Sequence, residues 1–327
     1  MSDQQNPDTI VLIHGFWVTP RSWEHWKSRY EAKGFTVHTP AYPGFEVEVE
    51  ALRADPTPIA DLTIEAIVTH LEKFLSSLDT KPILMGHSAG GAFMQVVMDH
   101  GYGCAGVGLN SAPTEGVRVT PWTQLHSVFP VLKNPLNHSR AVGFDADQWK
   151  YAFTNTYTDE ESLAFYERYH IPASGRVLFD GVLANFKPGH QDAWVNFKNP
   201  NRAPLLFLSG SEDHIMPPAV QASNAKHYKG KGTITEHATY DGRPHLMVAG
   251  AGWEEIADRA LEWALANAAC CCAYRPSIRG CSAFAWSRAS SASLRDTSSR
   301  AFCSSSWARS AMARCASSCR LPDTRCR

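Results

Sequence analysis

The chain lacks most of what would commit it to a membrane, a nucleic acid or a metal. No run of about 18 apolar residues is present to cross a bilayer. Residues 1–6 have neither the basic start nor the apolar core of an export signal. A cytoplasmic protein with no membrane partner is therefore expected. Up to residue 269 there is a single cysteine, Cys104, which excludes a disulfide framework there and reads as a small core residue. The same stretch has no glycine-rich phosphate loop and no metal-ligand spacing, so neither metal nor organic cofactor is expected. Positive charge is also scarce. Of the net −1, residues 270–327 contribute ten Arg against two Asp (+8), which leaves −9 for residues 1–269 by subtraction. An acidic body of this kind offers no groove for nucleic acid.

Cysteine, lysine and glutamate divide the chain at the same place. Cys270, Cys271, Cys272, Cys281, Cys303, Cys315, Cys319 and Cys326 all follow residue 269, in a stretch without Lys or Glu. Their spacing matches no familiar zinc pattern, and a Ser, Ala, Arg and Cys composition with little apolar periodicity cannot build an ordinary core. A disordered basic arm, a metal or disulfide module, and a stretch translated in a frame never selected for folding all remain open, and composition favours the last. Residues 1–269 are expected to form one catalytic domain, a size usual for α/β enzymes.

Within that domain the most informative stretch is Gly86-His87-Ser88-Ala89-Gly90, directly after the apolar run Pro82-Ile83-Leu84-Met85. Gly-x-Ser-x-Gly after a strand is the pattern of a nucleophilic serine on a sharp strand-to-helix turn, where the flanking positions must be small. A hydroxyl needs a base, and the base needs an orienting group. Asp213 follows the apolar run Leu205-Leu206-Phe207-Leu208 and is the candidate acid, with Glu212 and Asp241 as rivals. His245, in a loop leading to the last helix, is the candidate base. His14, His87 and His214 adjoin the same elements but are fixed in sequence beside them, so none easily reaches the serine as base, and His14 and His87 read as residues that shape the pocket or tie loops.

These residues resemble the α/β-hydrolase family, in its serine-nucleophile, carboxylesterase-like branch. The resemblance runs over about residues 8–267 and includes the opening Ile10-Val11-Leu12-Ile13-His14-Gly15-Phe16. It implies an oxyanion hole built from the amide of Phe16 or Trp17 together with that of Ala89. It also implies a cap inserted over the serine that governs substrate access. A serine at the elbow argues against dehalogenase or epoxide-hydrolase chemistry, whose relatives carry aspartate there. Lactonases, amidases, carbon–carbon bond hydrolases, hydroxynitrile lyases and perhydrolases use the same triad, and some members of the fold only bind ligands.

The order of elements predicts a mostly parallel sheet of about six strands flanked by helices. Strands are expected at residues 9–13, 34–39, in the apolar run 82–85 before the serine and at 105–109, and from Leu205 and Ile234 onward; only eight residues precede the first, so leading antiparallel strands are not expected. Gly106 and Gly108 mark close backbone approach within the fourth. Thr19-Pro20 signals a helix start ahead of Trp23, Trp26 and Tyr30, and Thr57-Pro58 repeats the signal ahead of Ile64, Ile67, Leu71 and Leu75. Between about 114 and 202 the alternation stops and aromatics accumulate. This insertion should carry its own helices, one announced by the capping box Thr158-Asp159-Glu160-Glu161. Its aromatics imply an apolar pocket for a small-molecule ester, for which His87, Trp122 and Phe144 are the candidate substrate-binding residues. The tail is expected to be unstructured.

Overall fold

Short, nearly continuous apolar runs determine where the central strands of this protein fall. A computed structural model describes residues 7–269; the tail expected over 270–327 lies outside the described residues. The strands are β1 (Thr9–Ile13), β2 (Thr36–His38), β3 (Ile83–His87), β4 (Ala105–Leu109), β5 (Ala141–Val142), β6 (Ala173–Ser174), β7 (Leu205–Gly210) and β8 (Thr235–Tyr240). Six of them form one sheet in the order β2-β1-β3-β4-β7-β8, with every neighbouring pair parallel. β3, β4 and β7 are buried at every position, as strands covered on both faces must be. The edge strand β8 reads Thr-Glu-His-Ala-Thr-Tyr and is partly exposed throughout, which discourages pairing with another chain.

Helices cover both faces: α1 (Glu24–Glu31), α2 (Val49–Ala54), α3 (Thr57–Ala60), α4 (Ile64–Ser76), α5 (Ala89–Asp99), α6 (Trp122–Leu132), α7 (Ala146–Phe153), α8 (Asp159–Tyr169), α9 (Gly175–Leu183), α10 (Pro218–His227) and α11 (Trp253–Asn267). Gly106 admits α5 to the sheet, because a Cβ there would run into the sulfur of Met98. Trp23, Trp26 and Tyr30 are fully buried as a core face should be, but two of them also carry polar ties. Trp26 Nε1 donates to Val248 O at 2.9 Å and Tyr30 Oη to Ala257 O at 2.7 Å, joining the first helix to the last one and to the loop before it. Cys104 is buried in the core. No helix among the described residues is long and apolar enough to cross a membrane.

The residues between β4 and β7 form α6 to α9 and the two-residue antiparallel ladder β5–β6. The capping box at Thr158 forms as expected: its side chain accepts from Glu161 N while Glu161 Oε2 accepts from Thr158 N. A second box, Asp145 with Gln148, opens α7. One cap departs from expectation. Thr57 lies inside the single-turn α3, and α4 is capped instead by Thr63, whose Oγ1 accepts from Ala66 N at 3.1 Å. Leu62 and Ile64 are buried on either side of Thr63, so the chain must enter α4 there.

An N-cap threonine contributes about 1 kcal/mol. Thr63→Ala is therefore expected to lower the unfolding free energy by about that amount in urea denaturation, whereas Thr57→Ala stays within about 0.5 kcal/mol of the parent. Equal effects at the two positions would contradict this assignment of the cap.

Candidate active site

Ser88 occupies the turn between β3 and α5 with φ 53° and ψ −126°, a conformation that costs a non-glycine residue about 1–3 kcal/mol. Its neighbours hold it there. Ser88 N donates to Leu109 O at 3.1 Å, and Ser88 O accepts from Gly91 N at 2.9 Å and Ala112 N at 2.8 Å. The two glycines of the motif are required by space: a Cβ on Gly86 would strike the backbone of Gly90, and one on Gly90 would strike the carbonyls of Ile13 and His14. Ala89 opens α5, so its N–H points out of the helix. Among the described residues the amides of Phe16, Trp17 and Ala89 have no acceptor within the protein. All three residues line a cavity together with Ser88.

His245 and Asp213 meet in the core although 32 residues separate them. His245 Nδ1 lies 2.8 Å from Asp213 Oδ2, and a carboxylate can only accept, so Nδ1 carries the proton. Nε2 is left with a free lone pair; it is buried and has no hydrogen-bond partner. The other carboxylate oxygen, Asp213 Oδ1, accepts from Ile215 N at 2.8 Å and Met216 N at 2.7 Å. The rivals Glu212 and Asp241 are exposed and do not contact His245. His214 Nδ1 donates instead to Tyr151 O at 2.8 Å.

Two residues that the sequence left without a stated role fix this imidazole. Asn110, immediately after β4, is fully buried at φ 44°. Its Nδ2 donates to Pro244 O and His245 O, each at 3.0 Å, and its Oδ1 accepts from Gly210 N at 2.7 Å. One side chain thus joins the ends of β4 and β7 to the histidine loop. Tyr157 Oη donates to Leu246 O at 3.2 Å and Ala249 O at 2.8 Å, while Leu246 N donates to Phe153 O at 2.9 Å. Asn155 Nδ2 reaches Glu212 O at 3.0 Å. Residues 151–157 of the insertion therefore hold both the acid loop and the base loop. An asparagine at a strand end was the only sequence signal for Asn110; Tyr157 and Asn155 had none, since their partners lie far along the chain.

His87 does not reach the cavity wall. It is fully buried, and its Nε2 donates to His245 O at 2.9 Å. Phe144 is likewise buried away from the cavity lining, packed on Trp17 with ring centroids 4.6 Å apart. Trp122 is 76% exposed and also outside the lining. Two of these three therefore support the framework around the site and the third faces solvent. The wall is instead supplied by residues such as Phe93, Val128, Leu132, Val177, Leu178 and Met216. No cluster of metal-ligating side chains occurs among the described residues.

The sequence profile of the alpha/beta hydrolase family matches residues 10–258. The chain belongs to the alpha/beta hydrolase family. No curated protein matches it by sequence. Among solved structures, this alpha/beta hydrolase is similar to a monoacylglycerol lipase of Paleococcus ferrophilus, with 20% identity, a TM-score of 0.56, and coverage of 80% of this chain and 96% of that one. It is similar to an extracellular alpha/beta-hydrolase from a Paenibacillus species at 21% identity and TM-score 0.58, covering 78% and 98%. It is also similar to a pyrethroid hydrolase of Sphingobium faniae at 19% identity and TM-score 0.54, covering 78% and 96%. At these identities the likeness is one of fold.

Three buried imidazoles make stability depend on pH. Burial pushes His14 down to about 4 and His170 to about 3, and burial with the neighbouring His245 pushes His87 to about 3. These values lie below the about 6.5 of an unfolded histidine, so the unfolded chain binds more protons between the two. Stability should therefore fall as pH drops from about 6.5 toward 4, by up to about 1.4 kcal/mol per pH unit for each histidine, as read by urea denaturation. A flat profile would mean that these rings are not held neutral. Asn110→Ala, which strips Gly210 N of its acceptor, is expected to lower stability by about 1–3 kcal/mol in the same measurement.

Proposed function

We propose that this alpha/beta hydrolase is a serine-type carboxylic ester hydrolase, acting on small to medium apolar esters through Ser88, His245 and Asp213. The observation that carries this reading is the bond from His245 Nδ1 to Asp213 Oδ2, which leaves a buried Nε2 lone pair at the sheet edge where Ser88 also sits. In the proposed reaction Nε2 takes the hydroxyl proton of Ser88 as its oxygen attacks the ester carbonyl. Asp213 keeps the imidazole in the required tautomer and stabilises it once charged. The free amides of Ala89 and of Phe16 or Trp17 would receive the oxyanion, an interaction worth roughly 3 kcal/mol per donor in a well-studied protease. The alcohol leaves with the proton from His245. Water, deprotonated by the same nitrogen, then attacks the acyl-enzyme carbonyl and releases the acid. Every step uses the chain's own groups.

Apolar side chains dominate the cavity that Ser88 opens into, which supports an apolar acyl or alcohol group in the substrate. The names of two similar structures, a monoacylglycerol lipase and a pyrethroid hydrolase, agree with this chemistry.

A fluorophosphonate probe should label Ser88, identified by mass spectrometry of the modified peptide, and Ser88→Ala should abolish labelling. The same variant is expected to lose about 10⁴-fold or more in kcat on p-nitrophenyl esters. Wild-type turnover by Ser88→Ala would remove this serine from the mechanism. A panel of matched esters, lactones and amides should show the esters turned over fastest.

A further inference from the structure

The mouth of the cavity lies between α6 and α9, because Leu125 and Val182 both line it and are 41% and 39% exposed. Around that mouth the surface is unusually apolar. Trp122 and Phe129 flank Leu125 at helical spacing on α6 and are 76% and 59% exposed, and Phe186, just beyond α9, is 82% exposed. Leu136 and Leu183, in the segments that follow α6 and end α9, are exposed as well. Single exposed apolar residues are ordinary, but a group of this size around one opening marks a contact surface.

Charge identifies the partner. Residues 116–142 contain no Asp or Glu, in a domain whose net charge is −9, and they expose Arg118, Lys133 and Arg140. None of these three pairs with a carboxylate among the described residues. Exposed aromatic and aliphatic side chains with unpaired cations on the same segment, and no acid among them, are the composition of a surface that lies in a lipid–water interface rather than crossing it. A second copy docking through the same patch would set these cations against their own equivalents. A protein partner seated there would also close the cavity mouth, whereas a fluid lipid surface would leave it supplied.

We propose that this face rests on an anionic lipid surface, with Trp122, Phe129 and Phe186 entering the headgroup region and Arg118, Lys133 and Arg140 meeting lipid phosphates. The expectation of no membrane partner followed from the missing span, and contact with a lipid surface needs none. Docking does not depend on Ser88. That the surface delivers an acyl ester to the cavity rests on the proposed hydrolase activity.

The test is co-sedimentation of the full chain with vesicles of phosphatidylcholine mixed with phosphatidylglycerol, and with phosphatidylcholine alone. The wild type should bind the mixed vesicles more tightly, and Ser88→Ala should bind them equally well. Replacing Trp122, Phe129 and Phe186 together by serine should weaken binding about tenfold or more. Arg118→Gln with Lys133→Gln and Arg140→Gln should weaken it on the mixed vesicles only. None of these six side chains lines the cavity, so turnover of a water-soluble short ester should stay within about twofold of wild type. The proposal is overturned if the wild type fails to bind. It is also overturned if the serine variant binds as tightly as wild type, which would assign binding to another part such as the basic tail. Conversion of a dimer to a monomer by the serine variant, with vesicle binding unchanged, would assign the face to a second copy. Loss of ester turnover without loss of vesicle binding would count against the hydrolase reading alone.

Discussion

The close backbone approach of Gly90 to the carbonyls of Ile13 and His14, with Gly86 against Gly90, is the constraint that organises the site. It brings the start of α5 hard against the ends of β1 and β3, and no side chain could be accommodated there. Ser88, at the apex, must then adopt a conformation it would otherwise avoid. The strain is sustained because the serine backbone is bonded to Leu109, Gly91 and Ala112, so relaxing it would break contacts to the neighbouring strand end. The same approach brings the amides after β1 and at the head of α5 to one cavity. Position and donor geometry thus follow from one contact between glycines and carbonyls.

Around that contact, the parallel sheet works as a set of aligned strand ends. Phe16 follows β1, Ser88 follows β3, Asn110 follows β4 and Asp213 follows β7, and the register of neighbouring strands brings these ends level. Loops leaving the carboxyl edge of such a sheet converge, which is why residues from distant parts of the chain can meet without long side chains. His245 arrives from beyond the edge strand and needs extra anchoring. Its carbonyl accepts from both His87 and Asn110, side chains borne at the ends of β3 and β4. The imidazole is thus positioned through its backbone by the sheet and through its ring by Asp213.

The six strands and the pairing of His245 with Asp213 were legible because the central strands are short apolar runs and each candidate sits in the loop after a strand. Such a pattern needs no knowledge of tertiary contacts. The pocket residues were not legible. Aromatics crowd the insertion, but which of them face the cavity depends on how α6, α7 and α9 are rotated, and that is settled by packing between segments. Phe144 turned to Trp17 and Trp122 to solvent for this reason. Of the two roles open to His87, substrate contact and tying a loop, the hydrogen bond to His245 O fits the second: its position beside Ser88 says nothing of its direction, and alternation along β3 sends it away from the cavity. The start of α4 was misassigned because Thr57 and Thr63 offer nearly the same local signal, and only the burial of Leu62 and Ile64 separates them.

The grip of residues 151–157 on both reactive loops makes the insertion two mechanical parts. The end of α7 is bound to the loops carrying Asp213 and His245 through Tyr151, Phe153, Asn155 and Tyr157, so it can move only if those loops move with it. Among the described residues, α6 and α9, which border the opening, are tied to these parts more sparsely, through Gln124 Nε2 on Met216 Sδ at 3.3 Å and the His126 ring against Tyr151 with centroids 4.5 Å apart. The entrance is thereby linked to the chemistry by fewer contacts than α7 is, so its widening for a bulky guest would disturb the proton-handling groups less than a shift of α7 would. Sequence drift in α6 and α9 can then retune what enters, whereas changes in the 151–157 segment disturb how it reacts.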